Sequence, residues 1–96
     1  MIASTNMTLC LPDSRKVVEA LKKLDFFVVP ELFRTTTAHW ADIVLPAAYF
    51  FEIEEITDRY LNLVAARRKV IEPVGECWDE LRIALEIVER MGLKFS

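Results

Sequence analysis

Residues 26–46 read FFVVPELFRTTTAHWADIVLP: two short apolar runs, each closed by a proline, on either side of a threonine-rich segment. A continuous apolar run of this length, with no alternation, reads as a strand buried on both faces, as in a parallel sheet. The segment TTTAHWA between the runs is long enough for about two helical turns. Upstream, SRKVVEALKKLD carries Val17, Leu21 and Leu24 at i, i+4 and i+7, with Val18 beside them. Pro12, Asp13 and Ser14 supply helix-start signals, and Lys22 and Lys23 fall in the last turn, where the helix dipole favours cations. The opening MIAS reads as the tail of a first strand, and TNMTLCLPDS as a loop. Strand, helix, strand, short helix, strand is the signature of an α/β unit with a short, mostly parallel sheet flanked by helices.

The second half is less regular. FEIEEITDRYLN is acidic and ambiguous, LVAARRKVI reads as extended, and EPVGE as a turn. CWDELRIALEIVERMG predicts a final helix with Trp78, Leu81, Leu85 and Val88 on one face, widened by Ile83, Ala84 and Ile87, and a stop at Gly92. Ninety-six residues predict one domain, 1–96. A hydrophobic content of 53% is high for a chain of this length, so some apolar surface is expected to meet a partner or another domain.

Composition removes several classes of function. A net charge of −3 offers no basic field for nucleic acid. The longest uncharged stretch is broken by Asp42 and Pro46, too short for a membrane span. No secretory signal opens the sequence. Cys10 and Cys77 form no CxxC and no metal spacing, which fits idle thiols in a reducing, cytoplasmic setting.

Ligands of an open parallel sheet bind beyond the carboxyl ends of its strands. That rule selects Ser4, Thr5 and Asn6, then Glu31 to Thr37, then Pro46 to Phe51, and predicts that all three line one crevice. A carboxylate after the second strand is where dinucleotide-binding units hold ribose hydroxyls, and the separation from Asn6 to Glu31 is close to that spacing. The glycine-rich phosphate loop of those units is absent, as is a Walker loop, since the only glycines are Gly75 and Gly92. His39 has no cysteine or serine partner at a recognised spacing and reads as packed or solvated. Cys10, after the first strand, reads as an idle thiol. Glu52, Glu54 and Glu55 read as an acidic helix start or solvated face rather than a cation site. Arg67, Arg68 and Lys69 read as a solvated strand face rather than a phosphate site.

LPDSRKVVEALKKLDFFVVPELFRTTTAHWADIVLPAAYFFE resembles the molybdopterin oxidoreductase family, which includes dimethyl sulfoxide reductase and formate dehydrogenase. The likeness rests on the T-x-T-A element followed by ADIVLPA. RRKVIEPVGECWDELRIALEIVERMG extends it over essentially all of the chain. The resemblance implies a Rossmann-like, three-layer fragment of a larger catalytic subunit. That piece would grip the guanosine–pyrophosphate end of molybdopterin guanine dinucleotide, in the bis form with molybdenum or tungsten. It further implies oxidoreductase chemistry of anaerobic respiration, carried out elsewhere in the parent. No residue here is implied as catalytic or as a metal ligand, and the isolated piece is expected to be inactive and cofactor-free.

Carried over position by position, the resemblance implies cofactor contacts at Asn6, Glu31, Thr35 and Glu80, with Asp79 beside the last. Met7 stands where the family has proline, and Glu31 where it has aspartate. Ile53 replaces a lysine, and Glu55 a glycine. The implied partners are the remaining domains of the parent and an iron–sulfur electron-transfer subunit, in the cytoplasm or exported folded. The alternative from composition is a cofactor-free α/β interaction module that packs on another chain or domain.

Overall fold

The computed structural model describes residues 1–58 and 64–93. The chain divides into two compact units, Met1–Ala47 and Ala48–Ser96.

The first unit is built around β1 (Val28–Glu31), which pairs in parallel with β2 (Ile43–Pro46) in the register Val28–Ile43 to Glu31–Pro46. Ile2 makes a parallel bridge to Val28 on the other side of β1. Val28 N–H donates to Met1 O at 2.9 Å and Ala3 N–H to Val28 O at 3.2 Å, so the three expected strands lie side by side. β1 is buried as its apolar run predicts. β2 is not: Ile43 and Val44 are exposed. An apolar strand reports only that it suits a covered site.

Two helices precede β1. Asn6 O accepts from Leu9 and Cys10 N–H, closing the single turn α1 (Met7–Cys10) where a loop was expected. α2 (Ser14–Leu21) is capped by Asp13, whose carboxylate accepts from Lys16 N–H at 3.3 Å. Asp13 sits at φ 58°, a left-handed conformation that aspartate tolerates better than most residues. Beyond Leu21 the chain tightens into i−3 hydrogen bonds that carry it to Leu24. Leu21, Phe27, Val29 and Ala38 form the core, with Val17 and Leu24 packed on it as the helical spacing requires. Between β1 and β2 only one turn of 3₁₀ helix forms, at Ala38–Trp40. The shorter helix follows from the threonines, which resist helix at χ1 and spend their hydroxyls on local partners. Asp42 then ties the two strands together: its carboxylate accepts from Phe27 N–H at 2.7 Å, and its own N–H donates to Phe27 O at 2.8 Å.

The second unit contains the antiparallel hairpin β3 (Glu55–Asp58) and β4 (Val64–Arg67), followed by α3 (Glu80–Arg90). The expectation of a mostly parallel sheet is corrected here. Among the described residues the pairings of the first unit are parallel, but β3 and β4 pair antiparallel in a separate two-stranded sheet. Glu55 and Arg67 are directly opposite and form an ion pair that marks the register. The acidic reading of Glu52 is also corrected. Its carboxylate is buried, with 6% of the residue exposed, and accepts from Tyr49 N–H at 2.6 Å and Val74 N–H at 2.9 Å. It is a strut between two loops, neither a solvated face nor a helix start.

Asp79 caps α3, accepting from Arg82 N–H at 2.8 Å. Gly92, at φ 74°, closes it: Leu93 N–H reaches Val88 O and Gly92 N–H reaches Glu89 O, the two bonds of a Schellman motif. The buried face of α3 differs from the expected one. Ile83 is 6% exposed, whereas Leu81 is 68% and Leu85 45% exposed. Apolar residues cover more than half of this helix, so periodicity alone does not choose which side packs within the unit.

Candidate functional site

The carboxyl end of β1 carries the candidate site. Glu31 is the last residue of that strand and is half-buried. Its Oε1 accepts from Leu32 N–H at 2.9 Å and its Oε2 from the Thr35 hydroxyl at 3.1 Å. The Thr35 oxygen in turn accepts from Ala38 N–H at 3.2 Å. Thr35 has therefore committed its one proton, to Glu31, and one of its two lone pairs, to Ala38 N–H at the start of the 3₁₀ turn. Glu31 is not used up. Each oxygen of a carboxylate offers two lone-pair sites, and one is taken on each. What remains is a fixed acceptor pair suited to a vicinal diol or a pair of N–H donors.

Asn6 lies in the loop after the Ile2 segment and reaches the same β1–β2 loop. Its Oδ1 is the focus of three hydroxyls: Thr37 at 2.8 Å, Thr8 at 3.1 Å and Thr36 at 3.3 Å. Thr8 N–H donates to Thr37 Oγ1 at 3.0 Å, the Thr8 and Thr37 hydroxyls are 3.0 Å apart, and the Thr8 and Thr36 hydroxyls are also bonded. Thr37 is wholly buried and Thr8 nearly so. This knot joins the first two loops that the sheet rule selected. It consumes the Asn6 carbonyl and leaves its NH₂ free of partners among the described residues.

Next to Glu31, across Thr35, opens a concavity of about 520 Å³ lined by Arg34, Thr35, Ala38, His39 and Val44. Sequence reasoning set His39 aside for want of a catalytic partner and passed over Arg34. The signal available was their placement in the loop after a buried strand, the position where function concentrates. Glu80 belongs to the second unit, in the first turn of α3, and is exposed. Its neighbour Asp79, and not Glu80 itself, lines a concavity of about 340 Å³ with Arg82, Trp78 and Lys69, where the Arg82 guanidinium stacks 4.0 Å over Trp78. Arg67 pairs with Glu55, and Lys69 with Glu72 at 2.8 Å. Among the described residues, no cluster of three or more His, Cys, Asp or Glu side chains is arranged to hold a metal ion, and no helix is long and apolar enough to cross a membrane.

The model of the molybdopterin oxidoreductase family matches residues 2–90. The chain belongs to that family. Over 84 residues it is 40% identical to the F420-dependent formate dehydrogenase subunit alpha of Methanocaldococcus jannaschii, covering 84% of this chain and 12% of the relative. Over 83 residues it is 37% identical to the dimethyl sulfoxide/trimethylamine N-oxide reductase of Rhodobacter capsulatus, covering 83% of this chain and 10% of that one. Among solved structures, acetylene hydratase from Pelobacter acetylenicus superimposes with a TM-score of 0.86 at 28% identity, over 96% of this chain and 13% of the hydratase. The chain thus spans about an eighth of the length of these proteins.

Family membership implies a molybdopterin cofactor in the intact enzyme. The polar side chains at the carboxyl end of β1 fit the polar periphery of such a group. Glu31 keeps free acceptor sites for hydroxyls or N–H donors, and Arg34 and His39 bring N–H donors beside it.

Proposed function

We propose that this member of the molybdopterin oxidoreductase family is a non-catalytic, Rossmann-like piece of a molybdenum or tungsten enzyme. Its role is to bind the guanosine–pyrophosphate end of molybdopterin guanine dinucleotide. The observation that carries this reading is Glu31: a carboxylate at the carboxyl end of the central strand, held by Leu32 N–H and Thr35, with acceptor sites left over. Ligands of parallel sheets sit at that edge, and ribose hydroxyls or guanine N–H groups match that acceptor. Thr35 acts through Glu31 by fixing its rotamer. Asn6 contributes its NH₂ group, and Glu80 an exposed carboxylate in the second unit. When bound, the cofactor supplies redox chemistry at the metal held by its pterin; the residues of this chain orient the nucleotide.

Titration of GMP and GDP into the 96-residue chain, followed by amide chemical shifts, tests the reading. Shifts centred on Asn6, Glu31 and Thr35, abolished in Glu31→Ala, support it. Their absence at millimolar nucleotide refutes it. Exposed Leu81, Leu85 and Ile56 favour a second reading, a cofactor-free module that packs on another domain or chain. That reading predicts no nucleotide response together with self-association or capture of the adjoining domains through these side chains.

A further inference from the structure

The side of α3 opposite Ile83 carries an apolar stripe. Leu81 and Leu85 are exposed and Val88 is half-buried. They follow one another at four and then three residues, the spacing of a helix seam that packs on another helix. The ends of the stripe carry opposite charges on the same flank. Arg82 stands beside Leu81 near the N-terminus and Glu89 beside Val88 near the C-terminus, two turns or about 10 Å apart. Both are exposed. Glu86 and Arg90, on the side away from the stripe, are joined to each other along the helix at 2.8 Å. The Arg82 guanidinium lies 4.0 Å over Trp78, a contact that engages its face and leaves its in-plane N–H groups for an acceptor.

We infer that α3 pairs with α3 of a second copy of this chain, antiparallel across a two-fold axis near Leu85. Charge complementarity selects both the occupant and its direction. In an antiparallel pair Leu81 meets Val88 of the second copy, Leu85 meets its counterpart, and Arg82 meets Glu89 of the second copy. The two-fold axis makes that ion pair twice, as a self-complementary interface requires. In a parallel pair Arg82 would face Arg82 and Glu89 would face Glu89. A seam of two turns buries less than a standard permanent interface, so the association is weak, with a Kd of about 0.1–1 mM. The inference rests on the second reading above and names its partner. It is independent of nucleotide binding, because Glu31 lies in the first unit and α3 in the second.

Sedimentation equilibrium of the 96-residue chain from about 10 μM to 1 mM tests this. Reductant is present throughout, because Cys10 is an exposed free thiol. The wild type is expected to pass from monomer to dimer across that range and to stop at dimer, less completely as salt is added. Leu85→Glu, which brings two carboxylates together at the axis, should remain monomeric. Arg82→Glu and Glu89→Arg should each weaken the dimer about fivefold, and the double swap Arg82→Glu/Glu89→Arg should restore it. An equimolar mixture of the two single variants should form a heterodimer more readily than either associates alone. All four positions are solvent-facing or at the helix surface, and circular dichroism verifies that each variant keeps its helix. A wild type that stays monomeric at 1 mM overturns the inference and leaves the second reading to rest on capture of adjoining domains. A dimer that survives Leu85→Glu overturns it while keeping self-association, then through another face such as Ile56. A dimer indifferent to both charge reversals overturns the antiparallel pairing.

Discussion

Replacing Thr37 by valine tests whether the hydroxyl knot holds the site loop. The two side chains are nearly isosteric, so no cavity opens and the change is confined to one hydroxyl. That hydroxyl accepts from Thr8 N–H at 3.0 Å and donates to Asn6 Oδ1 at 2.8 Å, and 0% of Thr37 is exposed. In Thr37→Val the buried Thr8 N–H loses its acceptor, a loss of about 1–3 kcal/mol. Asn6 Oδ1 keeps the Thr8 and Thr36 hydroxyls, so its own loss is about 0.5–1.5 kcal/mol. A methyl in place of the hydroxyl returns about 0.8 kcal/mol of apolar burial. The net expectation is a destabilisation of about 1–4 kcal/mol. The assay is urea unfolding read by fluorescence, with the midpoint falling at constant slope, and faster amide exchange at Thr8. Thr36→Val is the control. Thr36 is exposed, so water can replace its hydroxyl's contacts with Asn6 Oδ1 and the Thr8 hydroxyl, and the change should cost no more than about 0.5 kcal/mol. If Thr37→Val is as stable as Thr36→Val and Thr8 exchange is unchanged, the knot does not hold the loop and the argument fails.

Two further predictions concern the second unit. Glu52→Gln keeps the size of the strut but turns one acceptor into an NH₂ that faces a backbone N–H, so unfolding by urea should show a loss of about 1–3 kcal/mol; equal stability would show that Tyr49 or Val74 N–H has another partner. Asp79→Ala removes the cap of α3 and should cost about 1 kcal/mol, with Asp79→Ser recovering most of it; helicity and midpoint unchanged in the alanine variant would count against the cap.

The parts of the fold that were legible in the sequence are those with a local cause. The apolar runs at 26–30 and 43–46 became β1 and β2, and the 3.6 spacing of Val17, Leu21 and Leu24 became the packed face of α2. The parts that were not legible depend on what is opposite. The extended reading of LVAARRKVI holds at β4, but its partner β3 was not legible: Ile56 is exposed, and EITD lacks the alternation that marks a half-buried strand. α3 is apolar on most of its circumference, and only packing selects the Ile83 side. Glu52 looked like one member of an acidic run because the sequence does not reveal that two backbone N–H groups from different loops converge on it. At the site, position was readable and occupancy was not. The rule for parallel sheets picked out Asn6, Glu31 and Thr35, but which of their lone pairs and protons are already committed follows only from the fold.

That distinction reorders the site. Three residues of similar polarity sit at the strand ends, and their hydrogen bonds give them different work. Asn6 spends its carbonyl on Thr8, Thr36 and Thr37, and so welds the loop after the first strand to the loop after β1. Thr35 spends its proton on Glu31 and one lone pair on Ala38 N–H, so it sets the angle of the carboxylate and starts the 3₁₀ turn. Glu31 keeps an open acceptor site on each of its two oxygens while both are fixed in place. A group pre-positioned by its neighbours loses little entropy on meeting a ligand, and such a group recognises a diol better than a mobile one. Arg34 and His39 line the neighbouring concavity with Thr35, and among the described residues neither pairs with Glu31. Had either paired with Glu31, the acceptor would be neutralised and the N–H donors would be spent, and the loop would hold a salt bridge where it now holds two separate and opposite chemistries.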